Sequence, residues 1–181
     1  KKKIVYVPLA VDILHTGHLN IIDIAKKYGK VVIGLLSDSA ISEYKDLPTL
    51  DYNERYKIVK SLKNVDEIIK QNTWDYSEIL ENLKPDFFIH GDDWKKGIQK
   101  KTRENVVKLL RKNKGKLVEV AYTKNISSAS IKSNLINHLT PNSRVSNLKR
   151  LIDNKQIVRV LESHSPLSGL IAENIKLENG K

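Results

Sequence analysis

His15-Thr16-Gly17-His18 lies between a short apolar run, Ile4-Val5-Tyr6-Val7, and residues 19–28, where Leu19, Ile22 and Ala25, and Ile21, Ile24 and Tyr28, recur at three- and four-residue spacing. The run has the β-branched and aromatic content of a buried strand, and the spacing is that of an amphipathic helix. The two histidines therefore mark the place where a strand hands over to a helix N-terminus. Backbone N–H groups point outward there and the helix dipole gathers partial positive charge, so an anion is favoured. Residues three apart share a helix face, which lets His15 and His18 address one ligand, with phosphate the obvious candidate.

Outward from this stretch, strand and helix signals alternate. Val31-Val32-Ile33-Gly34-Leu35-Leu36 is nearly all apolar, as a strand covered on both faces should be, and it ends at the polar pair Ser37-Asp38. Residues 41–53 carry Lys45 and Pro48 without a sustained period and read as a long loop, or a short helix with a loop, of the kind that carries function. Residues 54–63 resume a helical period with Arg55 in the first turn, where a cation opposes the helix dipole and calls for an anionic partner. A third strand is predicted over 65–69, a helix over 74–83 stopped by Pro85, and a fourth strand over 86–90 running into Gly91-Asp92-Asp93-Trp94. Thr102 is placed to cap a helix reaching about residue 113, residues 117–122 form a fifth strand, and Ser127 or Ser128 caps a last helix ending before Pro141.

This order predicts an α/β fold over residues 1–140: a Rossmann-like, doubly wound, five-stranded parallel sheet with right-handed crossovers. In such sheets the ligand lies beyond the carboxyl ends of the strands, at the point where strand order reverses. His15, His18, Asp38, Asp92, Asp93 and Ser127 all follow predicted strand ends, so one crevice can collect them. Residues 141–181 read differently, as a linker followed by a strand-and-helix fragment that cannot close a sheet of its own. They are expected to be the truncated start of a second domain.

Composition bounds the function. With 40% hydrophobic and 29% charged residues the chain has a globular balance, and no apolar run approaches the roughly 20 residues of a membrane span. No signal-peptide cleavage pattern follows Lys1 to Lys3, and a cytoplasmic location is expected. Cysteine is absent, which excludes disulfides, thiol catalysis and cysteine-ligated metals within these residues. The net charge of +11 is spread along the chain with no basic stripe or recognition motif, so anionic small molecules are expected as partners, and neither nucleic acid nor membrane.

Taken together, Val11-Asp12-Ile13-Leu14-His15-Thr16-Gly17-His18, Lys45, Asn53-Glu54-Arg55, Gly91-Asp92-Asp93-Trp94 and Ile126-Ser127-Ser128 resemble the HxGH cytidylyltransferases, most closely the glycerol-3-phosphate cytidylyltransferase type. Residues 148–174, with Leu161-Glu162-Ser163-His164-Ser165 and Leu167-Ser168-Gly169-Leu170, look like the opening of a phosphoenolpyruvate mutase barrel. Fusions of these two families imply a phosphonate acceptor, such as 2-hydroxyethylphosphonate or 2-aminoethylphosphonate, and transfer of CMP from CTP with release of pyrophosphate. A phosphomonoester acceptor such as glycerol 3-phosphate, ATP as donor, and a non-catalytic nucleotide-binding module remain alternatives.

The resemblance implies roles residue by residue. His15 and His18 hold the phosphates and donate to developing charge, while Lys45 and Arg55 close on the triphosphate or the acceptor. Ala10, Val11, Asp12, Gly91, Asp92, Asp93, Trp94, Lys124, Ile126, Ser127 and Ser128 line the nucleotide, with the Gly91 to Trp94 turn choosing the base. Lys63 and Trp74 are expected near the acceptor, Asp12 beside a magnesium ion, and the protein in a homodimer. Two positions depart from the family: its usual Gly-Thr-Phe-Asp is Leu9-Ala10-Val11-Asp12 here, and its triphosphate arginine is Tyr122, with Lys124 the nearby charge that can replace it.

Overall fold

The first strand, β1 (Ile4–Leu9), pairs in parallel with β2 (Lys30–Leu36) on one side and with β4 (Phe87–Gly91) on the other. Strands β3 (Glu67–Gln71) and β5 (Lys116–Val120) complete a sheet ordered β3-β2-β1-β4-β5, parallel throughout. The coordinates are a computed structural model, and the structure describes residues 2–43, 46–95, 99–121, 123, 127–128, 131, 148–149, 151–154 and 162–169. No helix among the described residues is long and apolar enough to cross a membrane.

Period-two alternation assigns the two faces of the sheet. Val5, Val7 and Leu9, with Val31, Ile33 and Leu35, face α1 (Thr16–Tyr28) through Ile22 and Ala25 and α3 (Tyr52–Lys60) through Val59. Tyr6, Val32 and Phe88 face the other way, against Leu80 of α4 (Ser77–Leu83) and Val106 and Leu110 of α5 (Lys100–Lys112). The doubly wound architecture expected from the alternation is the one found. A short α2 (Asp38–Ser42) follows β2, and a 3-10 turn (Asp92–Lys95) follows β4.

One polar path crosses the buried sheet. The Tyr6 hydroxyl on β1 donates to Gln71 Oε1 on β3 at 2.9 Å, reaching over Gly34 on β2. A Cβ at Gly34 would lie 1.9 Å from that hydroxyl, so only glycine allows the crossing. The Gln71 amide donates in turn to the carbonyls of Thr73 and Asp75, at 2.9 and 3.1 Å, and so fixes the loop that carries Trp74.

Local chemistry moves several element boundaries. Asp51 caps α3 by accepting from the Glu54 N–H, which starts that helix at Tyr52 rather than at residue 54. The Asp66 carboxylate is occupied by the Val31 N–H and Lys26, so β3 begins at Glu67 rather than at residue 65. Asp75 accepts from the Ser77 N–H and hydroxyl, a turn that delays α4 to Ser77 and leaves Trp74 outside it. Thr102 lies within α5 rather than at its cap. The expected linker and second-domain fragment over 141–181 falls for the most part outside the described residues.

Candidate functional site

Strand order reverses between β1 and β4, where successive connections leave for opposite faces, so the carboxyl ends of these two strands frame a crevice. On the β1 side the chain turns through Val11, whose φ of 50° is in the left-handed region that β-branched residues avoid. Such strain persists where surrounding structure enforces it, as it does at functional turns. The Val11 side chain is nonetheless buried in the core.

His15 is the cap of α1. Its Nδ1 accepts from the Gly17 N–H at 3.1 Å, and His18 Nδ1 accepts from the His15 N–H at 3.4 Å. The two rings lie 4.0 Å apart between centroids and 33° from parallel. Because each Nδ1 is an acceptor, the neutral rings carry their proton on Nε2 and act as N–H donors from that atom. Desolvation holds the His15 imidazole below the usual histidine range, which favours this neutral form. Gly17 is a steric requirement, since a Cβ there would come within 2.9 Å of His15 Cε1.

The segment after β5 folds over this helix start. The Ser128 hydroxyl donates to the Ile13 carbonyl at 3.2 Å, and Asn20 Nδ2 donates to Thr123 Oγ1 at 3.2 Å. Ser128 is helical, and the Ile131 N–H donates to the Ser127 carbonyl at 3.1 Å. The Ser127-Ser128 segment is thereby tied to the turn that leads into the histidine pair. Lys45, Tyr122, Lys124 and Ile126 lie outside the described residues.

Arg55 differs from its expected place. Its anionic partner is Asp38, with Nη2 2.6 Å from Oδ1, and its side chain is fully buried. Nη1 donates to the Ala10 carbonyl at 2.5 Å and Nε to the Leu50 carbonyl at 3.2 Å. Three donors so committed make Arg55 an internal strut joining the ends of β1 and β2 to the loop before α3, not a cation closing on a ligand. Ala10 enters the site through the backbone that Arg55 holds. Asp12 accepts from the Thr49 N–H, which ties the same loop to the turn after β1.

The turn after β4 is built on Trp94. Its ring is 1% exposed and stacks on His90 at 4.0 Å and 8°, so Trp94 belongs to the core, where it was expected to line the nucleotide. Asp93 is exposed, Asp92 is half-buried, and a Cβ at Gly91 would lie 2.9 Å from Asp93 Oδ1. Lys63 is also displaced from expectation. It follows the C-terminus of α3 and precedes Asp66, whose N–H donates to the carbonyl of Val31 near the amino end of β2, so it lies at the end of the sheet opposite the crevice. Trp74 packs with Ala10 against Leu36, Ala40 and Ile41 at the carboxyl ends of β1 and β2.

Sequence reasoning missed His90 and Glu119. His90 is visible only as a polar residue at a strand end, and nothing in the pattern of β5 distinguishes Glu119 from a solvent-facing strand residue. Among the described residues no group of three or more His, Cys, Asp or Glu side chains converges as a metal cage. Magnesium commonly takes only one or two carboxylates and completes its shell with phosphate and water, so it needs no such cage.

A cytidylyltransferase-like family profile matches residues 11–138. The ethanolamine-phosphate cytidylyltransferase of Dictyostelium discoideum is 31% identical over 70% of this chain and 35% of its own length. The FAD synthase of Methanobrevibacter ruminantium is 36% identical over 46% of this chain and 59% of its own length. This chain thus spans between about a third and three-fifths of these two relatives. Among solved structures, the lipopolysaccharide core biosynthesis protein of Thermoplasma volcanium superposes with a TM-score of 0.57 at 25% identity, covering 70% of this chain and all of its own. With the HxGH turn, the Ser-Ser segment and the parallel sheet in their mutual places, the chain belongs to the cytidylyltransferase-like family.

Proposed function

We propose that this domain transfers CMP from CTP to a small phosphonate, with 2-aminoethylphosphonate and 2-hydroxyethylphosphonate as the preferred acceptors. The observation that carries the reading is the His15 and His18 pair, both Nδ1 atoms held by backbone N–H groups at the start of α1, beside the point where strand order reverses. An acceptor oxygen attacks the α-phosphorus of CTP, the new P–O bond forms, and the bond to the β-phosphate oxygen breaks to release pyrophosphate. The acceptor oxygen is already ionised, so no general base is needed. Catalysis is alignment of two anions and stabilisation of added negative charge by the two Nε2–H donors and the helix terminus.

Lys45 and Lys124 bring the positive charge that closes on the phosphates, Ser127 and Ser128 bind the outer phosphates, and the Gly91-Asp92-Asp93 turn reads the base. Magnesium, when bound at Asp12, would neutralise phosphate charge. The domain works as a homodimer, to be checked by light scattering. The ethanolamine-phosphate relative favours a second acceptor, since ethanolamine phosphate differs from 2-aminoethylphosphonate by one bridging oxygen.

The test is pyrophosphate release from CTP or ATP, with magnesium and a panel of phosphonates and phosphomonoesters. Release with CTP and the aminoalkyl or hydroxyalkyl phosphonates supports the proposal, and release with phosphomonoesters alone moves the acceptor to that class. Silence across the panel with CTP still bound would make the domain a nucleotide-binding module.

A further inference from the structure

We propose that Glu119, on β5 and outside the phosphate crevice, is a positioning residue for nucleotide recognition that acts through Trp94 on the Gly91-Asp92-Asp93 turn. The inference rests on the reading of that turn as the site of the base.

Four contacts converge on one carboxylate. Glu119 Oε1 accepts from Trp94 Nε1 at 2.9 Å and from Arg103 Nε at 2.8 Å. Oε2 accepts from Arg103 Nη2 at 3.0 Å, and Lys95 Nζ lies 3.5 Å from it. Glu119 is also the register partner of His90, the residue on which Trp94 stacks. Phe88 runs parallel to the same indole at 5.7 Å. The turn is therefore held at two points: Gly91 is paired in the sheet with Val120, and Trp94 is pinned by Glu119 and the rings beneath it.

An apolar residue at position 119 could cover the indole ring but would leave a buried N–H unsatisfied. An amide could accept from that N–H but could not pair with the Arg103 fork. A carboxylate, with two oxygens and several acceptor directions, meets both demands. Asp92 and Asp93 sit between the two fixed points, so their placement relative to a base depends on this clasp. Discrimination between bases that differ by an amino group and a carbonyl depends on hydrogen-bond geometry of this kind.

The test is calorimetric binding of CTP, UTP and pyrophosphate to the wild type, Glu119→Ala and Glu119→Gln, with circular dichroism on each. The wild type should prefer CTP to UTP; no binding of either would overturn the underlying base-site reading and this inference with it. Given that preference, Glu119→Ala should bind CTP about tenfold more weakly and lose most of the preference, with pyrophosphate affinity unchanged. Glu119→Gln, which keeps the acceptor for Trp94, should fall between the two. Wild-type CTP affinity and preference in Glu119→Ala would overturn the inference while leaving the base site standing, as would an equal loss for CTP and pyrophosphate.

Discussion

Arg55 Nη2 lies 2.6 Å from Asp38 Oδ1 with the arginine side chain fully buried, so the charge that looked free to meet a phosphate is spent inside the protein. Removing one member of a buried pair leaves the other charge without compensation, typically at a cost of about 3–5 kcal/mol. Arg55→Ala should therefore lower stability by about that amount in urea unfolding. Asp38→Ala should cost at least as much on this count, because it leaves the fully buried guanidinium unpaired, whereas Arg55→Ala leaves a carboxylate that water can reach. The double variant should be milder than the sum of the two, and additive losses would show that the pair is not coupled.

The path from Tyr6 to Gln71 makes a steric prediction. Gly34→Ala places a methyl group 1.9 Å from the Tyr6 hydroxyl on the ideal geometry, within a strand paired on both sides. Overpacking of this kind costs about 1–3 kcal/mol, and thermal melting should show it. Tyr6→Val should cost less in the Gly34→Ala background than in the wild type, since there it also removes the obstructing ring. A Gly34→Ala protein as stable as the wild type would mean that the tyrosine can lie elsewhere.

The parallel order of the sheet and the place of the crevice were legible because β-branched runs such as residues 31–36 and the spacing through Leu19 to Tyr28 report burial directly. The histidine pair was legible for a local reason: capping, glycine geometry and ring placement are all set within four residues. Arg55 was half legible. Its position in a first helical turn announced an anionic partner, but whether that partner is a ligand or Asp38 depends on how deep α3 sits, which no local pattern records. Lys63 was misplaced because helix length decides which end of the strands a residue reaches, and α3 runs away from the crevice. Glu119 was invisible because its partners Trp94 and Arg103 meet it only through tertiary packing.

Glu119 also makes the fold sensitive to acid. The Arg103 guanidinium bonded to it holds its carboxyl down to about 2, against an ordinary value of 4.5. A carboxyl with a depressed folded pKa binds fewer protons than in the unfolded chain, so its contribution is present above about pH 4.5 and is lost as pH falls towards 2. The melting temperature of the wild type should therefore drop across that interval by more than that of Glu119→Gln, which has no carboxyl to titrate at this position. Parallel acid limbs in the two proteins would show that the Arg103 bond is too solvated to matter.

The histidines carry the last prediction, because a ring whose Nδ1 accepts a backbone N–H is neutral and carries its proton on Nε2. Desolvation lowers the His15 pKa, so the folded state resists protonation and the unfolded chain takes up the proton first. By linkage, the His15 contribution to stability is full above the ordinary histidine pKa and declines as pH falls through it. Nitrogen-detected NMR of labelled imidazoles should find His15 as the Nε2–H tautomer near neutral pH, titrating below the usual histidine range. His18→Ala should slow pyrophosphate release by roughly 10²- to 10³-fold, the scale for losing one preorganised donor to developing charge. His18→Gln, whose amide can donate from a similar position, should recover part of that loss. An unchanged rate in His18→Ala would move the chemistry away from the start of α1.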